Sequence, residues 1–451
     1  MSPLARICRF ALVGLIVLPP VLSPLAAAPL RVLVLGDSMS EEYAFELPFS
    51  APDSDPLEAN IANWIEILAT VRGDEVSFGP YAGHVAAYPD YRDGGYAWNW
   101  AVPGFRTTDL AELVDPPLFP SSPEEALDWI SCPRIRTQLA GEVDCAVIFC
   151  GGNDLSPLYA GLCTGTVATD RLEAIRDNLA ATIDFVRAAN ATLPIVLVNA
   201  PDIGATPSVQ AKVPDPALRA VATVRIAGLN ALLAELAAAR GIALANSFDL
   251  TRRLDGAAPL QLNGVEFLKA GDPENAPRYL FAKDGFHPST AAQALLADEI
   301  LRALNGRYGF GLSPLANREI LGSILGLDPD AAFLAWLASA GLPPPTPADA
   351  DPDGDRLPLL AEFALGLSAL QPEVASRAVS AAIGTDAALR VSWPTDRSGG
   401  YVVLVPEWST DLAGPWSEVP AAWYSDAGCA CALPVSVGPR AFVRLRFGVR
   451  P

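Results

Sequence analysis

From Leu30 to about Gly306 the chain alternates short, unbroken apolar runs with longer stretches whose apolar positions recur every three or four residues. "LRVLVLG" (30–36), "YAWNWAV" (96–102), "DCAVIFCGG" (144–152), "PIVLVNAP" (194–201) and "GIALANS" (241–247) read as strands. "ANIANWIEILATVR" (59–72), "RLEAIRDNLAATIDFVRAAN" (171–190), the stretch from Pro216 to Arg240 and "STAAQALLADEILRAL" (289–304) read as helices. The strands are apolar at every position rather than at alternate ones, so both of their faces must be covered. Strands of that kind in alternation with helices imply a parallel sheet between two helix layers. The expected fold is therefore α/β, a three-layer α/β/α flavodoxin-like sandwich.

Beyond residue 306 the pattern changes. Residues 307–370 hold two short helical patterns around "GLPPPTPADADPDGDRL", and from Val379 onward short strand-like runs ("ALRVSWP", "GYVVLVPEWS", "AFVRLRFGV") are separated by Pro, Gly and Asp. The expected organisation is a leader over 1–28, an α/β domain over 29–310, a helical linker over 311–378 and a small β-rich module over 379–451.

The leader reading rests on Arg6 and Arg9, the apolar centre "FALVGLIVL" and the small exit Ala26-Ala27-Ala28. Pro19-Pro20 interrupts a run already too short to span a bilayer, so a cleaved signal and a secreted, periplasmic or cell-surface protein are expected. No later segment reads as an integral membrane span. The net charge of −20 argues against nucleic acid and anionic lipid as general partners. Of seven cysteines, Cys8 lies in the leader, leaving Cys132, Cys145, Cys150, Cys163, Cys429 and Cys431. An even number in an exported chain suggests disulfides of unfixed pairing, with buried free thiols as the alternative. Cys145 and Cys150 sit an odd number of positions apart on one expected strand, so they face opposite sides and should not pair with each other.

In open parallel sheets ligands bind beyond the carboxyl ends of the strands. Gly36-Asp37-Ser38 follows the first strand, "VPGFRTT" with Gly104 the second, and Gly151-Gly152-Asn153-Asp154 the third. "KDGFHPS", with Asp284 and His287, precedes the last helix. A hydroxyl, an imidazole, a carboxylate and an amide are thus expected at one edge. Without the leader the chain has two histidines. His84, in a Tyr- and Gly-rich loop without a placed carboxylate, reads as a surface or packing residue. His287 is left as the base.

These motifs, in this order, resemble the GDSL or SGNH hydrolases, on Ser38 in "GDSMS", Gly104 in "NWAVPG", Asn153 in "GGND" and His287 in "DGFHP". The resemblance covers about residues 30–306 and implies a serine esterase whose catalysis needs no cofactor. "VNAPDIGATP" also looks like a phrase of the family's esterases, with no catalytic part assigned. Phe105-Arg106 departs from the smaller residues usual after the glycine, which puts pocket shape in doubt. The chemistry agrees. A serine hydroxyl is a poor nucleophile until a base takes its proton, an imidazole suits that task, and a carboxylate three residues away can hold the ring in one tautomer. The resemblance further implies an oxyanion hole formed by the backbone N–H of Ser38, the backbone N–H of Gly104 and the Asn153 amide. Asp37 and Asp154 read as structural acceptors of loop N–H groups.

"DADPDGDRLPLLAEF" sets Asp351, Asp353, Asp355 and Glu362 at the first, third, fifth and twelfth places of a calcium loop, but Arg356 fills the sixth place, where glycine is usual. A structural calcium and a solvated acidic linker both fit. The stretch resembles a segment that precedes C-terminal modules of exported bacterial proteins. In the module, Trp408 and Trp416 read as core packing, with contact to a cell surface or polysaccharide as a second use. Three function classes compete: a secreted esterase acting on small or carbohydrate O-acetyl esters, a lipase, phospholipase or acyltransferase using the same residues, and a non-catalytic binding protein. The inserts 41–60 and 261–279 are expected to wall the pocket.

Overall fold

In the computed structural model the described residues are 28–43, 61–82, 94–272, 274–372, 379–386, 388–424, 429–434 and 440–451. The leader, His84 and most of the insert 41–60 lie outside them.

The unbroken apolar runs form six parallel strands: β1 (Leu30–Gly36), β2 (Val76–Ser77), β3 (Asn99–Ala101), β4 (Cys145–Phe149), β5 (Ile195–Val198) and β6 (Ala243–Ala245). β1 pairs with β4 on one side. On its other side it pairs with β2 at its start and β3 at its end, and β5 and β6 extend the sheet beyond β4. The helices of this part are α1 (Trp64–Val71), α2 (Thr107–Val114), α3 (Pro123–Gly141), α4 (Gly152–Thr164), α5 (Thr169–Ala189), α6 (Pro207–Lys212), α7 (Pro216–Arg240), α8 (Ser247–Leu254) and α9 (Thr290–Tyr308).

Alternate strand residues enter different layers, which is why no polar alternation shows in the sequence. Val32 and Val34 pack with α1 and α9, while Leu33 and Leu35 pack with α2, α3, α4, α5 and α7. Leu312, Leu315, Ile320, Leu321 and Leu325 join the α1/α9 layer, so its packing continues past residue 310. Strand β3 is shorter than the run that suggested it. Helices α3 and α4 were not apparent from the pattern, because Pro133 and Pro157 stand inside them and α4 opens on Gly152.

One expectation needs correction. All six cysteines among the described residues are free thiols, five of them buried. Cys132 and Cys163 lie on helices and Cys145 and Cys431 on strands, and the five buried thiols fill core space as small hydrophobes. Cys145 and Cys150 do face opposite helix layers, as their spacing requires. The 25-residue α7 is long and apolar enough, by length and composition, to cross a membrane. Its Ala222, Ile226, Leu229 and Leu233 instead pack into the helix layer over the sheet, so core packing accounts for that face.

The C-terminal part contains the helices Ala331–Ser339 and Leu359–Leu365 and two antiparallel three-stranded sheets. Tyr401 stacks on Phe333 with ring centroids 5.4 Å apart and donates its hydroxyl to Asp330 (2.8 Å). Trp408 meets Trp423 edge-on at 5.5 Å and packs against the small core around Val391 and Cys431. The Arg444 guanidinium lies over Trp416.

Candidate active site

Strand β1 ends where it must, at Gly36. A Cβ there would lie 2.7 Å from the Phe149 carbonyl oxygen of β4, so only glycine permits the strands to approach this closely. The chain then turns, and Asp37 Oδ1 accepts from the Met39 backbone N–H (2.9 Å). This Asx turn holds Ser38 at the carboxyl edge of the sheet, 7% exposed. From the opposite end of the domain, the segment before α9 brings in His287. Ser38 Oγ lies 2.8 Å from His287 Nε2, and His287 Nδ1 lies 2.6 Å from Asp284 Oδ2. Asp284 Oδ1 also accepts from the backbone N–H groups of Phe286 (2.9 Å) and His287 (3.0 Å), so carboxylate and ring are fixed by the same short loop. The Phe286 ring meets the imidazole edge-on at 5.3 Å. Three groups separated by some 250 positions thus form one hydrogen-bonded row.

The electrostatics differ between the carboxylates. Burial pushes the Asp284 carboxyl up, but the hydrogen bond and charge of His287, with the two loop N–H groups, outweigh it and hold the carboxyl below its ordinary range. It therefore remains an anion able to stabilise a charged imidazole. Burial pushes the Asp37 carboxyl up to about 7, against the smaller opposing effect of the Met39 N–H. Asp154 is also raised by burial, while accepting from the Thr107 N–H (2.9 Å) and hydroxyl (2.8 Å). Through those two bonds Asp154 ties the start of α2 to the start of α4, and so the loop carrying Gly104 to the one carrying Asn153.

Gly104 has φ +80, a conformation that side-chain-bearing residues rarely adopt, and space lies open where its side chain would be. Among the described residues, neither the Ser38 nor the Gly104 backbone N–H donates to another backbone carbonyl or side chain. Asn153, near the N-terminus of α4, donates one amide hydrogen to the Phe105 carbonyl (3.0 Å), which leaves its second hydrogen for another acceptor. Free N–H donors beside a hydroxyl–imidazole–carboxylate row can stabilise an oxyanion formed at that hydroxyl.

A cavity of about 40 Å³ opens beside Ser38 and Asn153. Its walls come from Pro201, Asp202 and Ile203 after β5, from Thr251 and Leu254 of α8, and from Phe281 and Phe286 beside the His287 loop. The described residues of the insert 261–279 do not line this cavity, contrary to expectation. The wall residues carry no chemical motif of their own, and the one available signal was the phrase "VNAPDIGATP", which supplies the first three.

At the acidic loop, carboxylate oxygens of Asp351, Asp353 and Asp355 lie within 4.8 Å of one another. Glu362, 1% exposed on the helix Leu359–Leu365, stands outside that group of three.

The family model for GDSL-like Lipase/Acylhydrolase matches residues 32–300 of the chain. Among solved structures, the chain is similar to LAE5, an alpha/beta hydrolase enzyme from the metagenome of Lake Arreo, Spain, at 17% identity over 61% of this chain and 95% of that one, with TM-score 0.33. It is also similar to a family 3 carbohydrate esterase of Clostridium thermocellum, at 14% identity over 62% of this chain and 96% of that one, with TM-score 0.31. A third similar structure is an extracellular lipase of Streptomyces rimosus, at 16% identity over 62% of this chain and 99% of that one, with TM-score 0.33. No curated protein matches.

Proposed function

The chain belongs to the GDSL-like lipase/acylhydrolase family, and from that premise we propose that it is an exported serine esterase. On this reading it cleaves short-chain carboxylic esters, or O-acetyl esters of carbohydrates, through an acyl-enzyme on Ser38. The observation that carries the reading is the row Ser38–His287–Asp284, with contacts of 2.8 and 2.6 Å. His287 Nε2 takes the Ser38 proton as Oγ bonds to the carbonyl carbon, and the carbonyl electron pair moves onto oxygen. The resulting oxyanion is met by the N–H groups of Ser38 and Gly104 and the Asn153 amide, while Asp284 stabilises the imidazolium. When the oxyanion collapses, the alkoxide leaves with the proton from Nε2. Water then repeats the sequence on the acyl-enzyme, releasing the carboxylic acid and restoring the hydroxyl.

The decisive measurement is hydrolysis of p-nitrophenyl acetate and of acetylated xylan by wild type and Ser38→Ala. Loss of at least about 10⁴-fold in kcat is expected for the variant. Equal rates for the two proteins would remove the reading. Export is supported by the basic-apolar-small order of residues 1–28, and N-terminal sequencing of the protein recovered outside the cytoplasm should begin near residue 29.

The acidic loop supports a structural calcium ion held by Asp351, Asp353 and Asp355. Hard carboxylate oxygens at this separation suit the ion, and Asp353 Oδ2 is buried without a hydrogen-bond partner among the described residues. Calcium should raise Tm by several degrees over a chelator-treated sample, and identical melting curves would count against the site.

A further inference from the structure

The cavity beside Ser38 has a chemistry that its volume alone does not convey. Apart from Ser38 and the second amide hydrogen of Asn153, its polar wall groups are largely committed to other parts of the protein. Asp202 accepts from the Gly204 N–H (3.1 Å) and the Thr223 hydroxyl (2.7 Å). Thr251 Oγ1 accepts from the Asp202 N–H (2.9 Å) and lies 2.9 Å from the Phe248 carbonyl, to which it donates. The Thr206 hydroxyl donates to the Ile203 carbonyl (2.8 Å). What remains for a ligand to touch is mainly Met39, Pro201, Ile203, Leu254, Phe281 and Phe286. An alcohol or sugar would lose its hydrogen bonds to water on entering and find few in exchange beyond the edge at Ser38 and Asn153, which is costly. A hydrocarbon loses nothing.

Size sets the second limit. At about 40 Å³ the cavity is far smaller than an ordinary ligand pocket of roughly 300–1,000 Å³, so it suits a short chain. The walls that could yield are among the most deeply packed in the site: Ile203 is 2%, Leu254 4% and Phe281 1% exposed. Close packing of that kind does not expand to admit a longer chain without strain.

We propose that this cavity is the acyl subsite, that it takes acyl groups of roughly two to four carbons, and that Leu254 and Ile203 set that limit from opposite elements, α8 and the loop after β5. The proposal rests on the serine esterase reading above. It assigns specificity to side chains that take no part in the chemistry, and it leaves the alcohol portion of the ester outside the cavity, toward solvent. Neither residue is part of the catalytic row, and each is recognised only by what the fold places opposite Ser38.

The test is kcat/KM for p-nitrophenyl acetate, butyrate, hexanoate and octanoate with wild type, Leu254→Ala and Ile203→Ala. Wild type is expected to fall by about 100-fold or more between butyrate and octanoate, and each variant to raise the hexanoate-to-acetate ratio by about tenfold. Because Leu254→Ala empties part of a packed core and could fail to fold, Ile203→Ala and the wild-type profile each bear on the proposal alone. Level wild-type rates from acetate to octanoate, or folded variants that both keep the wild-type ratio, would overturn the subsite while Ser38-dependent hydrolysis continued to support the esterase. Rates no higher for wild type than for Ser38→Ala on all four esters would overturn both.

Discussion

The chain gathers carboxylates in two places, and their surroundings differ. At the sheet edge, Asp284 faces an imidazole and two backbone N–H groups, and the net effect holds it as an anion. In the loop 351–362, three carboxylates crowd within 4.8 Å, and backbone N–H groups bond each of them. Gly354 and Arg356 N–H groups bond Asp351, the Asp355 N–H bonds Asp353, and the Leu357 N–H bonds Asp355. Like charges about 4 Å apart repel by roughly 1 kcal/mol in bulk water and about 4 kcal/mol near a protein surface. The first arrangement pairs a carboxylate with an imidazole, whereas the second sets three carboxylates side by side, which is the basis of the calcium proposal. Arg356 holds φ +77 in the sixth place of the loop, a conformation that favours glycine, so the turn is kept despite the side chain. A carboxylate with a catalytic task is thus distinguished by a dedicated partner, not by being one of several.

The widest separation between the two regions should come from one isosteric change made in each. Asp284→Asn keeps the shape but removes the charge that fixes the imidazole tautomer and stabilises its protonated form. A fall in kcat of about 10³- to 10⁴-fold is expected. Asp353→Asn should alter kcat/KM by less than about twofold while abolishing the calcium response of Tm, because distant sites behave independently. Comparable activity losses in the two variants would erase the distinction.

A smaller effect belongs to the oxyanion side of the same edge. Asn153→Ala removes one side-chain donor and leaves the hydroxyl–imidazole–carboxylate row untouched. The barrier should rise by about 3 kcal/mol, read in kcat with KM little changed. If kcat holds and KM alone rises, Asn153 contributes ground-state binding and not stabilisation of the oxyanion.

What could be read before folding follows from the same contrast. Ser38, Gly104 and Asn153 each follow a strand, and a parallel sheet forces all its strand ends to one edge, so their convergence was a consequence of topology. Asp284 and His287 were legible because imidazole is scarce in this chain. The acidic loop was legible for the opposite reason, since its spacing is local and needs no fold to bring it together. Ile203, Leu254 and Phe281 were not legible, because an apolar residue facing a ligand has the same chemistry as one facing the core. Helices α3 and α4 were hidden by their internal prolines. The thiols misled because an even count says nothing about distance, and Cys132, Cys145, Cys150 and Cys163 are buried as free thiols among apolar neighbours.

Asp37 offers the narrowest test of the comparison, since it sits beside the nucleophile yet, unlike Asp284, has its carboxyl shifted upward by burial. Its folded carboxyl is raised to about 7 by burial, against 3.8 when unfolded. The native state therefore binds this proton more tightly than the unfolded state. Its contribution to stability is fully present below about pH 4 and is lost as pH rises toward 7. Asp284 works in the opposite sense, its contribution being lost as pH falls through its lowered folded pKa. Asp37→Asn keeps an oxygen for the Met39 N–H and cannot ionise. Its stability relative to wild type should improve by about 2 to 3 kcal/mol between pH 5 and pH 8, read from chemical denaturation at the two pH values. A wild-type-to-variant difference that stays constant across that interval would mean that Asp37 is already ionised at pH 5. The catalytic edge would then carry two permanent carboxylate charges near His287 rather than one.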